Sequence, residues 1–176
     1  MISVRGRQNF KTMDTESEKK LRTTIRNYIL FFIFAIVLSG LTTFPIETEL
    51  AFMNEHLQSF PAFIRGWLNQ VYLAVKDVNE KYPFLSYGTD WLAFAHLIIA
   101  IAFIGPLRDP VKNIWVIQWG MICCLCVFPL AFIAGAVREI PVYWRLVDCS
   151  FGVIGGILLY LCYVRIVRLR SLLTRT

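Results

Sequence analysis

Charge is scarce in this chain of 176 residues: Asp, Glu, Lys and Arg make up 17% of it, where a soluble domain carries about a quarter. With 57% hydrophobic residues gathered in blocks, that shortage excludes an ordinary cytosolic enzyme and a disordered chain. Histidine is scarcer still. Of His56 and His96 only the second lies in an apolar stretch, so a haem held between helices by two histidines lacks a ligand. Zinc needs three or four ligands at metal spacing, and no such spacing occurs. The five cysteines are odd in number and lie in apolar stretches, which excludes an extracellular disulfide framework. Cys123, Cys124 and Cys126 contain a C-x-x-C midway along an apolar run, away from the solvent that thiol chemistry needs; with Cys149 and Cys162 they read as small apolar fillers. Nucleotide loops, internal repeats and inverted pairs of broken helices are all missing. That disfavours an autonomous secondary transporter, though a homo-oligomeric one stays open. No cofactor and no metal is expected.

What is present is length of apolar chain. Mean hydropathy is +0.57. Four stretches can cross a bilayer core of about 30 Å as helices: 28–44, 91–107, 113–137 and 146–164. Helix is the conformation lipid permits, because it satisfies every backbone group internally and the alternation of a β-barrel is absent. The expected architecture is an all-α, integral-membrane four-helix bundle over residues 28–164, with a basic tail at 1–27, an outer loop at 45–89 and a second basic tail at 165–176.

Orientation follows from Lys and Arg. Thirteen of the 18 lie in the two tails and the 108–112 turn, five on the other side (Arg65, Lys76, Lys81, Arg138, Arg145). Both tails are therefore expected in the cytoplasm of a bacterial inner membrane. Tyr28, Trp91, Trp115, Trp144 and Tyr163 fall where interfacial anchors belong. The competing reading of the first span as a secretory signal cut near Ser39 meets a 27-residue n-region and no A-x-A-like site; cleavage would leave three spans. The basic tails need no nucleic acid to explain them, since Lys and Arg beside a span gain about 1 kcal/mol each near an anionic leaflet.

The 45–89 segment is net acidic. Pro45 ends the first span, and Thr48 with Glu47 and Glu49 marks a helix start. From Pro61, the apolar positions Phe63, Ile64, Trp67, Leu68, Val71, Tyr72, Val75 and Val78 trace one helical stripe. An amphipathic helix lying in the outer interface or capping the bundle is expected. Tyr82-Pro83 and Tyr87-Gly88 are expected to turn the chain into the second span.

Ionisable groups inside spans are site candidates by default. His96 and Asp148 lie about 9 and 6 Å in from the outer ends of the second and fourth spans, at 1.5 Å per residue. Asp90 and Arg145 sit at the rim, and Ser39, Thr42, Thr43, Arg138 and Glu139 approach the same level. Two readings follow. In one, Asp148 pairs with His96 or Arg145 as a structural tie. In the other, an outward-facing polar cavity binds or processes a lipid-linked anion, with His96 as acid/base, Asp148 orienting it and Arg145 holding the charge. No nearby Ser or Cys stands in a nucleophile motif with the pair, so a non-catalytic role is favoured. Gly152, Gly155 and Gly156 give a small-residue spacing for close helix packing, within the bundle in preference to dimerisation. Gly120 and Gly135 fit the same contact, and Pro129 should kink the third span.

Asp148-Cys-Ser-Phe-Gly152-Val-Ile-Gly155 resembles the last helix of VanZ-like membrane proteins, in which an Asp precedes an Asn and then a Gly. Asp90-Trp-Leu-Ala-Phe-Ala-His96 is similar to that family's Asp-Lys-x-x-His. Here Gly152 stands at the Asn position, the Asp-to-His spacing is six where the family has four, and the Glu-x-x-Gln of the third span is missing. The resemblance implies a cell-envelope role around lipid or glycopeptide tolerance, with no established reaction; an uncharacterised small bacterial membrane family fits the residues equally. The expected function is a binding or accessory component, its partners membrane lipids and either a membrane protein or further copies of the chain, without nucleic acid.

Overall fold

The computed structural model describes residues 4–56 and 59–174, with side chains from Glu16 onward. Arg175 and the side chains of Arg5, Arg7 and Lys11 lie outside the described residues. Among those described there is no strand. The elements are α1 (Val4–Thr43), α2 (Ile46–His56), α3 (Ala62–Lys81), α4 (Pro83–Ala102), α5 (Ile104–Arg108), α6 (Ile114–Pro129), a π-helical segment (Leu130–Ala134), α7 (Gly135–Val137) and α8 (Val142–Leu173). Four helical stretches are long and apolar enough to cross a membrane: 16–43, 83–108, 114–137 and 142–173.

Three of these differ in extent from the expected spans, each for a physical reason. α1 continues N-terminally through the charged tail because nothing there stops a helix: Lys20–Glu16 and Arg22–Glu18 pairs, both 2.8 Å, support successive turns. α8 runs on past Val164 to Leu173 in the same way. α4 begins at Pro83, so Tyr87-Gly88 lies inside a helix and is not a turn. Proline is at home in a first helical turn, where its missing N–H is not needed, and the preceding Tyr82 is extended enough (φ −138°, ψ 58°) to break from α3.

Prolines also mark the interruptions. Pro106 has no N–H for the carbonyl of Ala102 four residues back and crowds it; the helix breaks at Phe103 and resumes as α5. The turn that follows is closed by Asn113, whose Nδ2 donates to Gly105 O (3.2 Å) and Asp109 O (2.9 Å). Asp109 accepts the Lys112 backbone N–H at 3.1 Å. That hydrogen bond, with the Lys112 charge, holds its carboxyl below the usual range. At Pro129 the expected kink takes the form of a register change. The next five residues are π-helical, and Gly135 N–H reaches back to Leu130 O.

The residues divide into two units, 1–33 with 102–176, and 34–101. In the first, α6 and α8 form an antiparallel seam of small residues. As the chain advances through Gly120 and Cys124 of α6 to Gly135 of α7, the α8 residues against it fall from Leu159 through Gly155 and Gly152 to Arg145. A methyl group on Gly152 would sit 2.7 Å from Cys124 O, and one on Gly120 2.8 Å from both Leu159 and Phe103. Contact this close brings Cα–H groups against carbonyl oxygen, a weak bond typical of apolar helix pairs. Beside it, Phe103 is fully buried and stacks obliquely on Phe32 (4.7 Å) and Trp119 (6.4 Å).

In the second unit, α2 and α3 form an antiparallel hairpin. The apolar stripe of α3 is buried or half-buried over most of its length, with Leu68 at its buried centre. Phe63 alone departs, 58% exposed, because it stands at the first turn beyond the hairpin's closed end. Glu47 and Glu49 occupy the first turn of α2, as the acids of a helix start should.

The seam makes an ordered prediction. Gly152→Ala must displace backbone and should cost about 1–3 kcal/mol. Gly156→Ala meets only Cys124 Cβ at 3.7 Å and Gly88→Ala meets nothing within 4 Å, so both should be neutral or stabilising by up to about 1 kcal/mol through helix propensity. Melting temperatures in detergent distinguish these; equal losses at all three positions would contradict the seam.

Candidate functional site

Each polar group singled out from the sequence has a definite setting. In the second unit, α4 crosses the end of α1 at Gly40, where an added methyl would sit 2.9 Å from His96 Cβ and 3.0 Å from Ala93 O. The crossing presses the start of the His96 side chain against α1, and its Nδ1 lies 2.7 Å from Leu92 O on its own helix. A carbonyl only accepts, so Nδ1 donates, and Nε2 has no partner among the described residues. Gly40, which composition gave no reason to single out, is what admits His96 to this position. Asp90, half-buried one and a half turns earlier, makes no hydrogen bond or ion pair among the described residues.

A second polar group in this unit was not legible in the sequence. Ser86 Oγ of α4 donates to Asn79 Oδ1 of α3, and Asn79 Nδ2 donates to Glu47 Oε2 of α2. One chain of hydrogen bonds thus ties three helices, while Asn54 Nδ2 donates to Asn69 Oδ1 (3.2 Å) nearer the hairpin's closed end. Asn79 and Glu47 are 32 residues apart, and Asn79 lies outside the apolar stripe of α3.

In the first unit, the end of α7 closes in a Schellman turn. Ile140 N–H donates to Gly135 O (2.9 Å) and Glu139 N–H to Ala136 O (3.1 Å). Glu139 stands at the left-handed position (φ 57°) that glycine usually fills, and Pro141 follows as helix-stop chemistry expects. Arg145 closes over this turn. Its Nε donates to Ile140 O at 2.6 Å and its stem lies on Gly135, with Cδ 3.1 Å from where a Cβ would be. A cation at a helix C-terminus also meets the negative end of the dipole. Arg145 therefore caps the third span and forms no ion pair with Asp148 one turn further on. Asp148, half-buried on α8, has no hydrogen bond or ion pair among the described residues. Gly152, Gly155 and Gly156 lie against Cys124 in the α6–α8 seam, at 2.7, 3.1 and 3.7 Å from their built Cβ positions.

Chemically, among the described residues, these settings offer one histidine whose Nε2 has no partner, two unpartnered carboxylates, Asp90 and Asp148, and one guanidinium that uses only Nε. Among the described residues, no group of three or more His, Cys, Asp and Glu gathers as metal ligands would. No known protein family, no curated protein and no solved structure matches the chain.

The two α8 groups should respond oppositely. Arg145→Gln removes a charged cap and should lower stability by about 1.5–3 kcal/mol. Asp148→Asn should leave the melting temperature unchanged or raise it, since an unpaired carboxylate in apolar surroundings costs about 2.5–3.5 kcal/mol on insertion scales. A clear drop for Asp148→Asn would show that the carboxylate holds helices together after all.

Proposed function

We propose that the chain is a multi-pass protein of the bacterial inner membrane that serves the cell envelope as a non-catalytic binding or accessory component, acting by helix packing and by contact with lipid or a membrane-protein partner. One observation carries the reading. The four long helices are apolar on the faces they leave uncovered as well as on those they bury: no more than 22% of the most apolar stretch of any of them is buried, and the outward positions include Leu125, Ile133, Phe151 and Ile154. Exposed apolar surface on this scale belongs in lipid or against a partner. The excess of Lys and Arg in the tails and the 108–112 turn sets those segments in the cytoplasm. The α2–α3 hairpin, amphipathic and net acidic, then lies in the outer interface. The similarity of the Asp148–Gly155 and Asp90–His96 segments to VanZ-like proteins agrees with this envelope role.

A second reading, a site for a lipid-linked anion, is favoured by Arg145, which commits only Nε to Ile140 O and keeps its remaining N–H donors for an incoming charge.

Reporter fusions test the topology. A reporter that folds only outside the cytoplasm should be active when fused within the α2–α3 connection and inactive on either tail, and alkaline carbonate should leave the chain in the membrane. Release by carbonate, or a cytoplasmic α2–α3 connection, would overturn the reading.

A further inference from the structure

One end of the first unit is basic with little acid to balance it. From Cys149 to Thr176 the sequence has no Asp or Glu, but it has Arg165, Arg168, Arg170 and Arg175. On α1 and in the 109–113 turn, three cations are paired locally, Lys20 with Glu16, Arg22 with Glu18 and Lys112 with Asp109. Arg168 and Arg170 form no ion pair among the described residues. Arg165 is held in place by neutral groups. Its Nη1 donates to Leu161 O at 3.0 Å, and its guanidinium lies 4.9 Å above the centre of the Tyr28 ring, a cation–π contact between α8 and α1. Arg168 follows three residues later, on the same side of the helix. A guanidinium fixed at two points, with a second on the same side of the helix and neither in an ion pair among the described residues, is preorganised for a phosphate, which takes parallel N–H donors from arginine. The position suits a lipid better than a free ion. Tyr28 and the exposed Trp115 at this end are the aromatic residues that settle at headgroup level, and both helices continue beyond it as charged segments.

We infer that Arg165, seated on Tyr28, and Arg168 form a clamp for the phosphate of an anionic phospholipid in the leaflet around the basic end. This rests on the membrane reading above and names the lipid class that the reading leaves open. The purified full chain is melted in neutral detergent with phosphatidylglycerol or phosphatidylcholine added at equal mole fraction. Phosphatidylglycerol should raise the melting temperature by about 3–6 °C over phosphatidylcholine. Arg165→Gln with Arg168→Gln should remove at least half of that difference. Lys76→Gln, which removes one positive charge in the other unit and so matches Arg168→Gln alone, should retain it. Because each variant is compared with itself in the two lipids, a lower baseline does not blur the result; if the double variant fails to fold, Arg168→Gln alone and Arg165→Lys replace it. The inference is overturned if phosphatidylcholine gives the same rise, if the rise survives in the arginine variants, if Lys76→Gln abolishes it equally, or if inorganic phosphate reproduces it. A chain that stays in carbonate-washed membranes but ignores phosphatidylglycerol refutes the clamp alone; one that washes off refutes the membrane reading itself.

Discussion

In lipid no water is at hand for a polar group, so donors and acceptors there have to be satisfied within the protein, and the side chains of the long apolar helices are arranged as that constraint would require. Several side chains fold back on their own helix. Thr42 and Thr43 turn their hydroxyls back to Ser39 O, Ser150 to Val147 O, His96 to Leu92 O and Arg165 to Leu161 O. At proline, where the ladder must fail, the chain repairs it: a short second helix and an asparagine-closed turn follow Pro106, and a π-helical register follows Pro129. Among the described residues no buried side-chain polar atom is left without a partner.

The same constraint explains what holds the helices together. Burial of apolar surface cannot drive association when the surroundings are as apolar as the side chains, so close fit must. The α6–α8 seam supplies it with glycine and cysteine at successive turns, and Gly40 does so where α1 meets α4. The α2–α3 hairpin is built differently. It has an amphipathic stripe and two polar rungs, Asn54–Asn69 and Glu47–Asn79, as suits an element with one wet face. Asp148 stands apart from both schemes. It is an ionisable group inside an apolar helix that folds back on nothing, which is why it remains the first residue to examine for a ligand.

Legibility in the sequence followed the range of the forces involved. The four apolar stretches, the acidic start of α2 and the stripe of α3 are local patterns of hydropathy and were readable. Helix ends were less so. Charge marks where lipid stops, but a helix continues until its hydrogen bonding stops, so α1 and α8 overran the basic residues and α4 began at Pro83. The interruption at Pro129 was visible as a proline and its π-helical form was not, since that depends on how the strain is absorbed. Contacts between distant positions were hidden altogether. Nothing local told that Asn79 would meet Glu47, that Gly40 would admit His96, or that Arg145 would bend back to Ile140 and leave Asp148 alone.

The central claim is that the uncovered apolar faces meet lipid. Spin labels at Leu125, Ile133, Phe151 and Ile154, placed one at a time in reconstituted vesicles with the native cysteines replaced, measure this directly. The account predicts that dissolved oxygen, which concentrates in the hydrocarbon, relaxes each label more strongly than a water-soluble nickel complex does. Stronger relaxation by the nickel complex at these positions would place water against the helices and contradict it.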